Sequence, residues 1–96
     1  MTHFNLIRHW ADARNLIQGS KPKDQFCKLM EEVGELAKSI AKNKCPKDDI
    51  GDCVVVLTIL AIQHGLTIEE CIEHAYNEIK DRKGKMVDGV FVKEDK

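Results

Sequence analysis

Apolar residues recur at helical intervals along most of this chain. Leu6, Trp10, Ala13 and Ile17 stand three or four apart, with Ile7 and Leu16 widening the stripe and Arg8, Asp12 and Arg14 off it. That pattern predicts an amphipathic first helix closed by Gly19. Gly19-Ser20-Lys21-Pro22-Lys23 is a breaker cluster. Beyond it Phe26, Leu29, Met30, Val33, Leu36, Ala37 and Ile40 mark a long second helix, fading in Asn43-Lys44-Cys45-Pro46, where Pro46 can begin a helix but not continue one. A third helix, about Lys47 to His64, is apolar on almost every side, through Ile50, Cys53 to Leu57 and Ile59 to Ile62. Such a helix is normally buried, so it is expected at the centre of the fold.

Gly65 ends that helix. Thr67 with Glu70 three residues on then predicts a capping box, Leu66 is placed to staple against Cys71, and Ile68, Ile72, Ala75, Tyr76 and Ile79 give the stripe of a fourth helix reaching about Lys83. In the remainder, Met86-Val87-Asp88-Gly89-Val90-Phe91-Val92, an Asp-Gly pair separates two short apolar runs. A small hairpin and a docked irregular tail both fit it. The expected fold is all-α: four helices in a bundle with a short C-terminal tail or hairpin.

Composition narrows the function classes. The 96 residues are one domain's worth, with no internal repeat or linker, and a core so small that oligomerisation is an expected source of further burial. Fifteen basic and sixteen acidic side chains nearly cancel, which excludes the global basic field of a nucleic-acid polymer binder. Any anion must be met by a local cluster. Cys27, Cys45, Cys53 and Cys71 contain no C-x-x-C pair and three lie on apolar helical positions, suiting buried free thiols in a reducing compartment. The N-terminal residues lack a signal-peptide pattern and the longest apolar run, Cys53 to Ile62, is too short to span a membrane. A soluble, cytoplasmic protein without a membrane partner is expected.

The candidate chemistry lies between residues 31 and 52. Glu32 and Glu35 are three apart on the second helix, and Asp49 and Asp52 three apart on the third, so each pair shares a face. The short connection predicts an antiparallel helical hairpin, in which partners have a constant sum of residue numbers, and 32 with 52 matches 35 with 49. Converging carboxylates must be spread in water, protonated or neutralised by a hard cation. A solvated helix face with ordinary ion pairs to Lys28 and Lys38 suits Glu31, Glu32 and Glu35, Glu31 above all, and helix-dipole placement suits Asp48 and Asp49. Neither covers Asp52, which lies past the first turn of the helix expected to be most buried. Oxygen-only ligands point to magnesium rather than zinc, and the lack of a Glu-x-x-His pair argues against a di-iron centre. A second cluster, Asn77-Glu78-Ile79-Lys80-Asp81-Arg82-Lys83, either complements a helix dipole or supplies phosphate contacts, a point charge from Lys80 and a planar fork from Arg82. Trp10 is either core or a platform for a base.

Glu31-Glu32-Val33-Gly34-Glu35-Leu36, a spacer, and Asp49-Ile50-Gly51-Asp52 resemble the E-x-x-E, spacer, E-x-x-D signature of the MazG-like all-α nucleoside triphosphate pyrophosphohydrolases. The ending Ile79-Lys80-Asp81-Arg82-Lys83-Gly84, with Gly89-Val90-Phe91-Val92-Lys93, looks like the tail of short, single-domain members, including those of phages. The likeness runs from about Trp10 to Lys93. One departure is Asp49, where the family usually has Glu; its shorter side chain leaves open direct binding of metal, binding through water, or replacement by Asp48.

The resemblance implies hydrolysis of a nucleoside triphosphate, often a deoxynucleotide, to the monophosphate and pyrophosphate by a homodimer or dimer of dimers. It makes Glu32, Glu35 and Asp52 magnesium ligands with Asp49 the fourth, manganese being a substitute ion. Glu31 or Glu35 would accept the proton from water. Lys80, with Arg82 or Lys83, would hold phosphate oxygens, Asn77 phosphate or sugar, and Gln25 and Lys28 would be second-rank substrate contacts, with Trp10 and His9 near the base. The competing reading is a non-enzymatic helical module for nucleotide sensing or protein interaction. A calcium buffer is a third, disfavoured by the lack of a Gly-punctuated loop.

Overall fold

The computed structural model describes residues 1–94. Four helices are followed by a two-stranded antiparallel sheet: α1 His3–Ala13, α2 Pro22–Ala41, α3 Lys47–Gln63, α4 Ile68–Ile79, β1 Gly84–Val87 and β2 Val90–Lys93. The helical expectation holds, and of the two readings of the C-terminal segment the hairpin is the one observed.

The first three helices end with the same device. Asn15 (φ 57°), Asn43 (φ 57°) and Gly65 (φ 73°) take the left-handed conformation just past α1, α2 and α3. In each case the next residue's N–H reaches back five residues: Leu16 to the Ala11 carbonyl (2.9 Å), Lys44 to Ser39 (2.9 Å) and Leu66 to Ala61 (2.9 Å). These are Schellman motifs, which satisfy carbonyls the helix leaves open. They also correct the first helix: it begins at His3, capped by the Thr2 hydroxyl accepting from the Asn5 N–H at 3.1 Å, and stops at Ala13 because Asn15 takes the left-handed position before Gly19 is reached. The fourth helix also stops earlier than expected, at Ile79, so Lys80 to Lys83 form the connection into the sheet. The capping box at its start is present, with the Thr67 hydroxyl accepting from the Glu70 N–H (3.1 Å) and the Glu70 carboxylate from the Thr67 N–H (2.7 Å).

Helices α2 and α3 form the antiparallel hairpin, and their contact is the most extensive between helices. At the open end a polar latch closes it. The Gln63 amide donates to the Ile17 carbonyl (3.1 Å), the Ser20 carbonyl (3.0 Å) and the Ser20 hydroxyl (3.1 Å), while Gln25 donates to the same hydroxyl (3.0 Å). Gln25 is only 8% exposed, and Gln63 Oε1 is buried without a hydrogen-bond partner. Arg8 on α1 makes a two-pronged ion pair with Glu69 on α4, at 2.7 and 2.8 Å, and also bonds Asn5.

The core consists of Ala11, Val56, Ile59, Ala61 and Ile68 together with Gln25 and Thr58, whose hydroxyl donates to the Val54 carbonyl (2.7 Å). The expectation that the whole third helix is central is therefore half right. Val56, Thr58, Ile59 and Ala61 in its C-terminal half are buried, but Leu57 among them, and Ile50 and Asp52 nearer the turn, are exposed on the single chain. The cysteines are free as expected, yet Cys27 and Cys45 are exposed and Cys53 and Cys71 only half-buried.

Much apolar surface stays in water. Phe26, Met30, Val33, Ala37 and Ile40 are spaced four, three, four and three apart along α2, a coiled-coil seam, and the four large ones are 42–60% exposed. The surface area is 7505 Å², against about 5,600 Å² expected of a compact monomer of this mass. The radius of gyration, 16.1 Å, likewise exceeds the ~12.5 Å of a compact chain of this length. No single helix among the described residues is long and apolar enough to cross a membrane.

Candidate functional site

The α2–α3 register brings the Glu32 and Asp52 carboxylates together. Glu32 projects from the middle of α2, its side chain 14% exposed, and Asp52 from the second turn of α3. Asp52 is held above the ordinary carboxylate range by partial desolvation, then by the charge of Glu32 and a hydrogen bond shared with it, then by the charges of Asp48 and Asp49. Like charges in contact disfavour ionising both. The site is therefore a focus of negative potential that gains from a proton or a cation. Asp48 and Asp49, in the first turn of α3, are also stabilised by the helix dipole.

Lys28 occupies the edge of that focus. Its ammonium lies 3.3 Å from Glu32 and 3.9 Å from Glu31, the ion pairing that the helix-face reading expects of Glu31. The remaining acids are open: Glu35 is exposed and Asp49 half-buried. Among the described residues no three His, Cys, Asp or Glu side chains are arranged to hold a metal ion. The donor chemistry nonetheless fits a hard divalent cation, since every acidic group around Asp52 offers oxygen only and Asp52 is perturbed by three neighbouring carboxylates. Asp52 is unusual first through partial desolvation where α2 and α3 meet, and then through the neighbouring carboxylates.

The cationic cluster stands elsewhere. The axes of α3 and α4 turn through 100° at the Gly65 break. With about 1.5 Å of rise per residue, Asp52 lies ~16 Å back along α3 from its end and Lys80 ~18 Å out along α4, a separation of roughly 22 Å. Arg82 and Lys83 follow Lys80 into the sheet. Within one chain Lys80 is thus carried well away from Asp52.

The other candidates have local ties. Gln25 is held in the latch by Ser20. Trp10 lies half-exposed on α1 with the Arg14 guanidinium stacked 4.8 Å from its ring centroid. His9 lines a groove of about 390 Å³ between α1 and α3, with Arg8, Asp12, Ala13, Ile17 and Ile62. Sequence reasoning passed over Ser20 and Gln63, which tie the ends of α2 and α3 together. The available signal was a glutamine closing an otherwise apolar run and a serine just before the second helix.

A family model described as the MazG nucleotide pyrophosphohydrolase domain matches residues 21–87, from the start of α2 to the end of β1. The chain is also 57% identical over 60 residues to a protein of Haemophilus phage HP1, named as an uncharacterized 18.2 kDa protein in the rep-hol intergenic region. That match covers 60% of this chain and 37% of the phage protein, so the chain spans well under half of its relative's length. No solved structure matches the chain.

Proposed function

Because the chain belongs to the MazG nucleotide pyrophosphohydrolase family, we propose that it hydrolyses a nucleoside triphosphate to the monophosphate and pyrophosphate, residues 1–96 acting as one domain. The observation that supports this most is the contact between the Glu32 and Asp52 carboxylates, inside the stretch the family model matches. Glu32, Glu35 and Asp52 would hold magnesium, or manganese in its place, with Asp49 the fourth ligand directly or through water. A divalent ion there would neutralise the triphosphate and lower the pKa of bound water.

The chain's own groups do the rest. Glu32 and Asp52, pressed together, present a pair of oxygens whose repulsion is relieved only by positive charge. Glu31 or Glu35, whichever is not fully used as a ligand, accepts the proton of the attacking water. Lys28, at the edge of the acidic pair, would be placed to meet a phosphate oxygen. Lys80, Arg82 and Lys83 hold phosphate oxygens, with Asn77 donating to phosphate or sugar. Gln25 acts through the latch, fixing the end of α2, while His9 borders a groove open to a base and Trp10, stacked on Arg14, offers a second platform.

The acting form is a homodimer or dimer of dimers. The α2 seam is the supporting feature, and the chain's excess surface of ~1,900 Å² is the amount an obligate interface buries on one partner. The test is a panel of ribo- and deoxynucleoside triphosphates with magnesium, products being separated. Pyrophosphate and a monophosphate are expected from at least one, and Glu35→Gln should abolish turnover in a folded protein. Turnover of none would sink the reading.

A second reading, a nucleotide-sensing or interaction module without turnover, is favoured by the absence of a formed three-carboxylate cluster among the described residues. Magnesium with a non-hydrolysable triphosphate separates the readings further: a sensor melts higher with it, and a pure interaction module does not.

A further inference from the structure

The hairpin is a feature the proposed function does not use. Its turn has two left-handed residues, Asp88 (φ 51°) and Gly89 (φ 82°), the geometry that matches strand twist. Val87 pairs with Val90 and Met86 with Phe91. The Phe91 ring lies across Gly84, where a Cβ would come within 2.5 Å of it, so Gly84 is needed for the ring to lie down. A hairpin so specified is built for a purpose, yet Met86, Val87, Val90, Phe91 and Val92 are all 41–64% exposed, on both faces. Two strands are marginal alone in water, so a surface outside the chain's own helices must cover them.

Charge and distance point to which surface. Lys80, Arg82, Lys83 and Lys85 at the base of the hairpin form no ion pair among the described residues. Glu32 and Asp52 meet between α2 and α3 with Asp48 and Asp49 close enough to act on Asp52, and Lys28 is paired to Glu32 and Glu31 at the edge. Each set is the other's complement, but the ~22 Å between them in one chain, set by the 100° turn at Gly65, keeps them apart. A second copy carries the missing half.

We infer that the β1–β2 hairpin is an exchanged arm: it docks beside the α2–α3 pair of a second copy and brings Lys80, Arg82 and Lys83 to that copy's Glu32–Asp52 pair. The docking of the arm rests on its exposed faces, its charge and the surface the chain leaves uncovered; the use of its cations rests on the proposed hydrolysis. Each site is then incomplete without the neighbour's arm.

Mixed oligomers test this directly. Asp52→Asn lacks a working acidic pair, and Lys80→Ala/Arg82→Ala lacks a working arm; each alone should be inactive. Co-expressed under different affinity tags and purified as the mixed dimer, they should recover about half of wild-type activity, because one of the two sites then joins intact acids to an intact arm. No recovery, with wild type active, overturns the exchange while leaving the proposed hydrolysis standing. A second measurement does not depend on turnover. Amides of residues 84–93 should be protected from hydrogen exchange in the wild-type oligomer and exposed in Phe91→Asp. Rapid exchange there in wild type, or a protein that is monomeric, overturns the arm even if no nucleotide is hydrolysed. Protection of the arm with intact apolar contacts in an inactive wild type would uphold the docking and sink only the hydrolysis.

Discussion

Replacing Asp52 by asparagine should make the ion-free protein more stable and the magnesium-bound protein less so. Partial desolvation, and then Glu32, Asp48 and Asp49, hold Asp52 above the ordinary carboxylate range, so the ionised side chain opposes folding at neutral pH. Since Asp52 is exposed on the single chain, solvent screens that opposition to about 0.5–1 kcal/mol. For a domain of this size the variant should therefore melt about 2–8 °C higher in chelator-treated buffer. Magnesium at one hundred times its dissociation constant adds ~2.7 kcal/mol to a protein that binds it. The wild type should gain that and the variant little, reversing their order.

The pH dependence has a definite sign. A carboxyl with a raised folded-state value favours folding most when protonated, so wild-type stability declines as pH rises through that value. The variant's advantage should accordingly vanish as the pH falls and Asp52 takes up its proton. Scanning calorimetry with and without magnesium, over a pH series, reads all of this. A variant less stable than wild type without metal, or one that keeps the full magnesium shift, would refute the reasoning.

Gln63→Ala removes donors to the Ile17 and Ser20 carbonyls and the Ser20 hydroxyl, which at ~1 kcal/mol per bond should cost about 2–3 kcal/mol in urea titration; a loss below ~0.5 kcal/mol would mean that water replaces the latch. Arg8→Ala should leave the melting temperature unchanged in strong acid and lower it near neutrality. The reason is that Glu69, held below the ordinary range by Arg8, contributes stability above that range and loses it as pH falls through its depressed value. Equal melting temperatures at all pH values would count against the ion pair.

Much of the fold was legible because local rules produced it. The stripe of α2, the Thr67–Glu70 capping box and the Asp88-Gly89 turn are each fixed by residues within one turn of one another. Asn15 was harder: an asparagine cap is a weaker signal than the glycine four residues later, and it ended α1 first. Hydrophobicity misled at α3, because an apolar surface implies burial without saying by what. Within one chain only part of its C-terminal half is covered, and Ile50 and Leu57 stay exposed.

For the candidate site, the sequence by itself determined which carboxylates share a helix face, since a spacing of three follows from helix geometry alone. It also permitted the antiparallel register that opposes Glu32 to Asp52, since a short connection sets the direction of the second helix while the fold fixes where the turn falls. Tertiary structure alone decided that Ser20 and Gln63 close the far end and that the 100° turn at Gly65 carries Lys80 away from Asp52. Those depend on the direction in which one element leaves another, and a crossing angle is set by packing across the whole fold rather than by any local pattern.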